Sequence, residues 1–269
     1  MAAADAAGEY RRIAVFGGVY GNVHALAATL DDARARGVEA VFCLGDVGGF
    51  GPRPDRAVAL LRERDVVTVQ GNYDAAVAGG APDCGCGYTD PRDNHFAGLS
   101  YAYTLAHTST EHRRWLGALP PGLRLRLGSR TALLCHGSPR AVSEFLWEST
   151  TPDGMLRAML DEARADVLLC THSGIKWRRE LGAGRDAVNV GVIGRPENDG
   201  RTNVWYAVLT AVADGLDVEF VPLAYDYEAL AREMQAEGLP PEFVETVRTG
   251  WWTTCLEVLP AKERARGRF

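Results

Sequence analysis

The sequence predicts an α/β layered domain, on three observations. Short β-rich runs alternate with helical stretches through the first half of the chain, each run ends in a loop rich in Gly, Asn and Asp, and no internal repeat or low-complexity linker divides the chain. Residues 11–16 (RRIAVF) read as a strand, 22–36 as an amphipathic helix closed near Gly37, and 40–44 as a second strand. A second helix is expected over 54–64 and a third strand over 66–70. The loops 17–22, 45–54 and 71–74 follow these strands, where α/β folds gather their ligand sites. Residues 90–119 are mostly helical by pattern and stop at Pro120-Pro121-Gly122. Residues 123–127 and 131–135 suit an antiparallel pair about Gly128, 152–164 a helix with proline near its start, and 166–170 another apolar strand. Strands and turns are expected over 187–222, and helices over 227–237 and 241–249. The expectation is one domain over 1–269, with 1–10 a flexible lead-in and 226–269 a C-terminal helical extension.

Composition narrows the function classes. The 269 residues are 46% hydrophobic, ample for a buried core, and carry 35 acidic against 29 basic side chains, a net charge of -6. An acidic chain lacks the field that gathers phosphate backbones, so nucleic acid is not the expected partner. A small phosphorylated or anionic molecule is, because backbone amides or a metal can hold one locally. No apolar run approaches the roughly 20 residues that span a bilayer, and residues 1–10 lack the basic start of a secretion signal. The expectation is a cytoplasmic protein without membrane contact; Trp251 and Trp252 leave a homo-oligomer contact or core packing open. Of six cysteines, Cys43, Cys135 and Cys170 sit in apolar runs as small buried side chains do. Cys84-Gly-Cys86 reads as two free loop thiols, with a metal or redox pair as the alternative.

Chemistry-bearing residues follow the strands. Asp46 (LGDVGGFGPRP), Asn72 (QGNYD), His136 (LLCHGSP) and His172 (LLCTHSG) each stand just past an apolar run. Singly, an Asp or Asn there is a turn residue and a lone His is structural. Together they are a carboxylate, an amide oxygen and two imidazoles, a ligand set for one divalent metal such as Mn, Fe or Zn.

These motifs, GDVGGFGPRP, GNYD, HGSP and the late histidine loop, resemble in order those of the calcineurin-like metallophosphoesterases, closest to a small bacterial branch with GNYD and a nearby DCGC. The resemblance runs from about Arg12 to Thr249 and implies a four-layer α/β/β/α sandwich of two mixed β-sheets, with a two-metal site that hydrolyses phosphoesters. It also implies two ligand sets sharing Asp46. The set containing Asn72, His136 and His172 is complete. The other is not: the family's Asp-x-His-Gly-Asn reads Gly18-Val19-Tyr20-Gly21-Asn22, and its Gly-His-x-His reads Thr171-His172-Ser173-Gly174. All three replacements, Gly18, Tyr20 and Gly174, fall in one set, so a single metal is expected and the second site is expected to be absent. Tyr20 is either a plug in the vacated volume or a donor facing substrate, and His24 is the nearest residue that could refill the set.

Tyr73 stands where many relatives carry a leaving-group histidine, and its unperturbed pKa near 10 makes it a hydrogen-bond donor. Asp74 is expected to organise its loop. Arg53 and Arg140 follow two of the motifs and could reach an anionic substrate from the rim, or lie solvated. In the late loop, Asn189-Val190-Gly191-Val192-Ile193-Gly194-Arg195-Pro196, Val192 replaces the family's serine. Three functions are compatible with this pattern. One is a diverged phosphoesterase with weak or altered hydrolysis. The second is a fold recruited to other mononuclear-metal or metal-free chemistry, for instance in a specialised biosynthetic pathway. The third is an inactive ligand- or partner-binding relative.

Overall fold

A computed structural model describes residues 3–213 and 215–265. Its first sheet grows outward from β2 (Arg12–Phe16), where alternation splits the side chains: Ile13 and Val15 turn to one core, Ala14 and Phe16 to another. β2 pairs in parallel with β3 (Ala40–Cys43), which pairs in parallel with β4 (Val67–Thr68). On its other side β2 runs antiparallel to β10 (Val204–Val212), and β10 to the edge strand β11 (Gly215–Leu223). The second sheet has the order β1-β5-β6-β7-β9-β8, formed by β1 (Ala4–Tyr10), β5 (Gly122–Leu127), β6 (Arg130–Cys135), β7 (Val167–Cys170), β9 (Arg185–Asn189) and β8 (Trp177–Gly182). Both sheets mix parallel and antiparallel pairs, and β6, β7 and β9 run parallel.

The sheets face each other across Ile13, Val15, Phe42, Leu44, Leu125, Leu134, Leu169 and Val188, all buried. Helices α1 (Val23–Ala35), α2 (Pro54–Glu63), α3 (Asn72–Gly79), α4 (Pro91–Ala106) and α5 (Thr110–Ala118) pack on the outer face of the first sheet. Helix α6 (Asp153–Ala163) lays Leu156, Met159 and Leu160 on the outer face of the second, against Leu133, Leu168 and Trp177. The layers are therefore α/β/β/α, as expected. Cys43, Cys135 and Cys170 are buried in three of the strands, and burial raises all three thiols, Cys135 to about 12.

Three expectations change. Ala4–Tyr10 is a strand rather than a flexible lead-in: its backbone pairs with β5 from Ala4 opposite Leu123 to Tyr10 opposite Leu127, with an irregularity between Asp5 and Glu9. Edge pairing uses peptide groups, so ADAAGEY shows no side-chain alternation to announce it. The loop expected over 71–74 is instead the start of α3, because the Asp74 carboxylate accepts the N–H of the N-cap residue Gly71 at 2.8 Å and so satisfies a donor at the helix start. Cys84 and Cys86 are joined as a disulfide, not free.

The C-terminal segment packs onto the domain. Helices α7 (Tyr227–Ala236) and α8 (Pro241–Thr249) bring Leu230, Met234, Phe243 and Val247 onto Tyr20, Phe50, Phe96 and Val192. The chain then returns through a buried Trp252 to α9 (Ala261–Arg264), whose Glu263 accepts the Ser149 N–H at 2.9 Å. Among the described residues no helix is long and apolar enough to cross a membrane.

Candidate metal centre

Every residue of the expected ligand set lies where a strand ends. Asp46 follows β3, Asn72 opens α3 after β4, His136 follows β6 and His172 follows β7. The connecting loops are stitched to one another: Tyr20 N–H donates to the Asp46 carbonyl (3.1 Å), Gly21 N–H to Val47 (2.8 Å), and Gly194 N–H to Gly18 (2.7 Å). Tyr20, Asp46 and His172 hold φ values of 52°, 56° and 61°, a left-handed conformation that side chains adopt only where surrounding packing enforces it.

The His136 Nδ1 lies 2.7 Å from the Leu44 carbonyl, which can only accept, so Nδ1 carries the proton. In the neutral ring, Nε2 then offers a lone pair, 3.2 Å from Asp46 Oδ2 and 3.1 Å from His172 Nδ1. The Asn72 amide is oriented the same way. Its Nδ2 donates to the Cys84 carbonyl at 2.8 Å and reaches Cys86 Sγ at 3.5 Å, leaving Oδ1 buried without a partner. His172 Nε2 is also buried without a hydrogen bond. Asp46 Oδ1 accepts the Tyr73 N–H at 3.0 Å, which fixes the rotamer of the carboxylate.

The titration of this cluster follows from its geometry. Burial pushes Asp46 up, but the charge and hydrogen bond of His136 outweigh it and hold the carboxyl below its ordinary value. Burial pushes His136 down, and Asp46 more than reverses that, so its proton is held more tightly than usual. Burial, then the charge of His136, takes His172 down to about 3 and leaves it neutral. Carboxylate, two imidazole nitrogens and an orphaned amide oxygen are what a borderline divalent cation takes. The donor set fits one such ion, with Asp46, His136 and His172 drawn together within 4.8 Å.

Across the cavity the surroundings are different in kind. Gly18 sits at φ 44°, and a Cβ there would come within 2.5 Å of Val192 Cγ1 and 2.7 Å of Tyr20 Cζ. Gly174 sits at φ 78°, and its Cβ would meet the Trp252 ring at 3.1 Å and Arg195 Nη2 at 3.5 Å. Tyr20 is buried against Phe50, Phe96, Val192 and α8, and burial pushes its hydroxyl well up, so it stays protonated. The space at these three positions is filled by apolar and aromatic groups and one guanidinium.

The sequence model of the calcineurin-like phosphoesterase superfamily domain matches residues 12–214. The chain belongs to that superfamily. Among curated proteins it is similar to an uncharacterized protein of Methanocaldococcus jannaschii, 25% identical over 246 residues, which cover 85% of this chain and 93% of the relative. Among solved structures it is similar to a metallophosphoesterase from Sphaerobacter thermophilus, at 25% identity and a TM-score of 0.69, covering 90% of this chain and all of that one. A hypothetical protein from Pyrococcus horikoshii shares the fold at 20% identity and a TM-score of 0.73, covering 90% of this chain and 99% of that one.

In this calcineurin-like chain the remaining expected residues divide. Tyr73 lines the cavity, its hydroxyl donating to Ser100 Oγ at 3.1 Å and held protonated by burial. Asp74 organises the loop as expected, its carboxylate accepting from the backbone of Asp46 (2.8 Å), Val47 (2.9 Å) and Gly71; burial and the Asp46 charge raise it to about 6. Arg53 and Arg140 do not line the cavity. Arg53 pairs with Glu237 at 2.8 Å on α7, and Arg140 with Glu144, both at the surface. His24 is turned to Glu233 at 3.3 Å.

Residues passed over in the sequence complete the site. Arg195, Cys255, Tyr88, Phe50, Phe96 and Phe243 line the cavity with Tyr20, Asp46, Asn72 and His172. Cys84 and Cys86 hold the Asn72 amide. The signal for the cysteines was present, in that CGC falls a short loop beyond GNYD. For Cys255 and Phe243, delivered from the end of the chain, pattern carries none.

Proposed function

We propose that this protein is a diverged phosphoester hydrolase that works with one divalent metal, its first metal half-site being lost, and whose hydrolysis is weak or altered relative to a two-metal centre. The observation that carries this reading is the pairing of two halves of one cavity. On one side Asn72 Oδ1 is orphaned beside the convergent Asp46, His136 and His172; on the other, Gly18, Tyr20 and Gly174 offer no ligand set and their space is taken. Asp46, Asn72, His136 and His172 would hold the cation, which would supply Lewis-acid polarisation of a phosphoryl oxygen.

The chain's own groups do the rest. Leu44 and the Tyr73 N–H hold His136 and Asp46 in the conformation that presents their lone pairs. Tyr20 and Tyr73, both kept protonated by burial, act as hydrogen-bond donors rather than proton shuttles. The walls formed by Phe50, Phe96 and Phe243 exclude water and strengthen every electrostatic interaction inside. Loss of one cation removes part of the clamp on attacking and leaving oxygens, a deficit of several kcal/mol in transition-state stabilisation.

Elemental analysis of protein purified without chelator tests the reading. Near one equivalent of Mn, Fe or Zn is expected, together with slow, metal-dependent cleavage of a generic aryl phosphoester. Two equivalents would refute the lost half-site, and one equivalent without cleavage of any phosphoester would move the protein to other chemistry on the same metal.

A further inference from the structure

Arg195 is explained neither by the ligand set nor by the fold. It is 7% exposed and lies in the same cavity as Asp46, Asn72 and His172. No carboxylate pairs with it among the described residues: burial works against its charge, and the groups that favour the charge are Cys255, which also hydrogen-bonds to it, Tyr20 and Tyr88. Its Nε is buried without a hydrogen-bond partner. A buried guanidinium lacking a counter-charge is strongly disfavoured, and a protein retains one where an anion arrives to complete it.

The side chain is also held in place. Its guanidinium stacks on Trp252 at 3.6 Å from the ring centre, with Phe50 at 5.8 Å and Tyr20 at 6.0 Å. Trp252 is itself locked, its Nε1 donating to the Pro196 carbonyl at 2.7 Å and its backbone N–H to Asn198 Oδ1 at 2.8 Å. Aromatic stacking holds the guanidinium by its face, and although the Cys255 side chain hydrogen-bonds to it, Nε keeps an unused N–H donor, the kind of edge that suits recognition of an oxyanion. Arg195 Nη2 also stands 3.5 Å from where a side chain on Gly174 would begin, in the cavity that Asp46, Asn72 and His172 also line.

We propose that Arg195 binds the anionic group of the substrate, a tetrahedral oxyanion of the phosphate class, and supplies a fixed positive charge on the side of the cavity that has no metal ligands. Tyr20, kept neutral beside it, contributes a hydroxyl without adding negative charge. This deepens the one-metal reading by naming how the anion is held, yet the binding step needs no metal.

The test is calorimetric titration of full-length protein with inorganic phosphate at fixed ionic strength in excess EDTA. Wild type is expected to bind, Arg195→Gln to bind at least about tenfold more weakly, and Arg195→Lys to fall between them because the charge remains but the fork is lost. Asp46→Asn, which removes a negative charge from the cavity, is expected to bind at least as tightly as wild type. Equal affinity in wild type and Arg195→Gln, or phosphate binding that vanishes in EDTA, overturns the assignment. Should Arg195→Gln not fold, wild type still decides. Phosphate is expected to change tryptophan emission, absent in Trp252→Phe, and binding with an unchanged signal overturns it. Metal content is measured separately, so failure of the metal reading and failure of this assignment are distinguishable.

Discussion

The two sides of the cavity are built from the same kind of element, tight loops at the carboxyl ends of parallel strands, and they have opposite character. On the Asp46 side, polar atoms are aimed at one another: Asn72 Oδ1 has no partner, and His136 Nε2 lies 3.2 Å from Asp46 Oδ2 and 3.1 Å from His172 Nδ1. On the Gly18 side, every position is satisfied by van der Waals contact, with Val192, Tyr20 and Trp252 filling the volume. A fold stabilised by packing alone has no reason to keep the first arrangement, since unpaired buried polar atoms destabilise. The second arrangement is what packing alone would produce. The proposed one-metal reading and the proposed role of Arg195 both rest on this contrast.

The largest expected effect comes from trying to make the two sides alike. Restoring Gly18→Asp, Tyr20→His and Gly174→His together places side chains at two left-handed backbone positions and drives one Cβ to 2.5 Å from Val192 and the other to 3.1 Å from Trp252. At about 1–2 kcal/mol for each of the two conformational penalties and about 1–3 for each of the two overpacked sites, a stability loss of roughly 4–10 kcal/mol is expected by chemical denaturation. No second equivalent of metal should appear. A stable triple variant binding two ions would show that the second side is vacant rather than filled.

On the retained side, His136→Ala is expected to lower metal affinity by about a hundredfold or more, read by competition with a chelating indicator. Unchanged affinity would detach the ligand set from the cation. Asp74→Asn tests the support beneath it. One carboxylate accepts three backbone N–H groups, and an amide cannot, so at least one buried donor is left facing an NH2. A loss of about 2 kcal/mol in urea unfolding is expected. An effect within about 0.5 kcal/mol would show that the loop holds Asp46 by other means.

The smallest effect is in pH. The folded state raises the His136 value, so the proton there stabilises the metal-free protein fully below the ordinary histidine value, and that contribution is lost as pH climbs through the raised one. A cation competes for the same Nε2. Metal affinity should therefore fall by up to about tenfold per pH unit below the raised value, while metal-free stability attributable to His136 moves the other way. Titrations at about pH 8 and about pH 6 check the sign; affinity flat across that interval would remove His136 from the ligand set.

Much of this was legible before folding. The apolar runs at 11–16, 40–44, 131–135 and 166–170 announced their strands, because burial on both faces leaves no polar alternation to confuse the pattern. Asp46, Asn72, His136 and His172 were legible because each stands one or two residues past such a run, and Asp74 because short acids in tight loops accept backbone N–H groups. The strand at Ala4–Tyr10 was not, since pairing along an edge draws on peptide groups that every sequence shares. Arg53 and Arg140 stood open between rim and surface for a related reason: adjacency to a motif in the chain says nothing about which way a long flexible side chain turns, and both turn to a neighbouring carboxylate.

By itself, then, the sequence determined the layered α/β class and the candidate donors Asp46, Asn72, His136 and His172, and it placed Gly18, Tyr20 and Gly174 nearby, because local periodicity and residue chemistry act over a few residues. Only the tertiary structure decided what occupies the space those donors left. Arg195, Phe243 and Cys255 reach the cavity from segments far from Asp46 and Asn72 in the chain, and the surface covered by the apolar faces of α7 and α8 is chosen by packing among all layers at once.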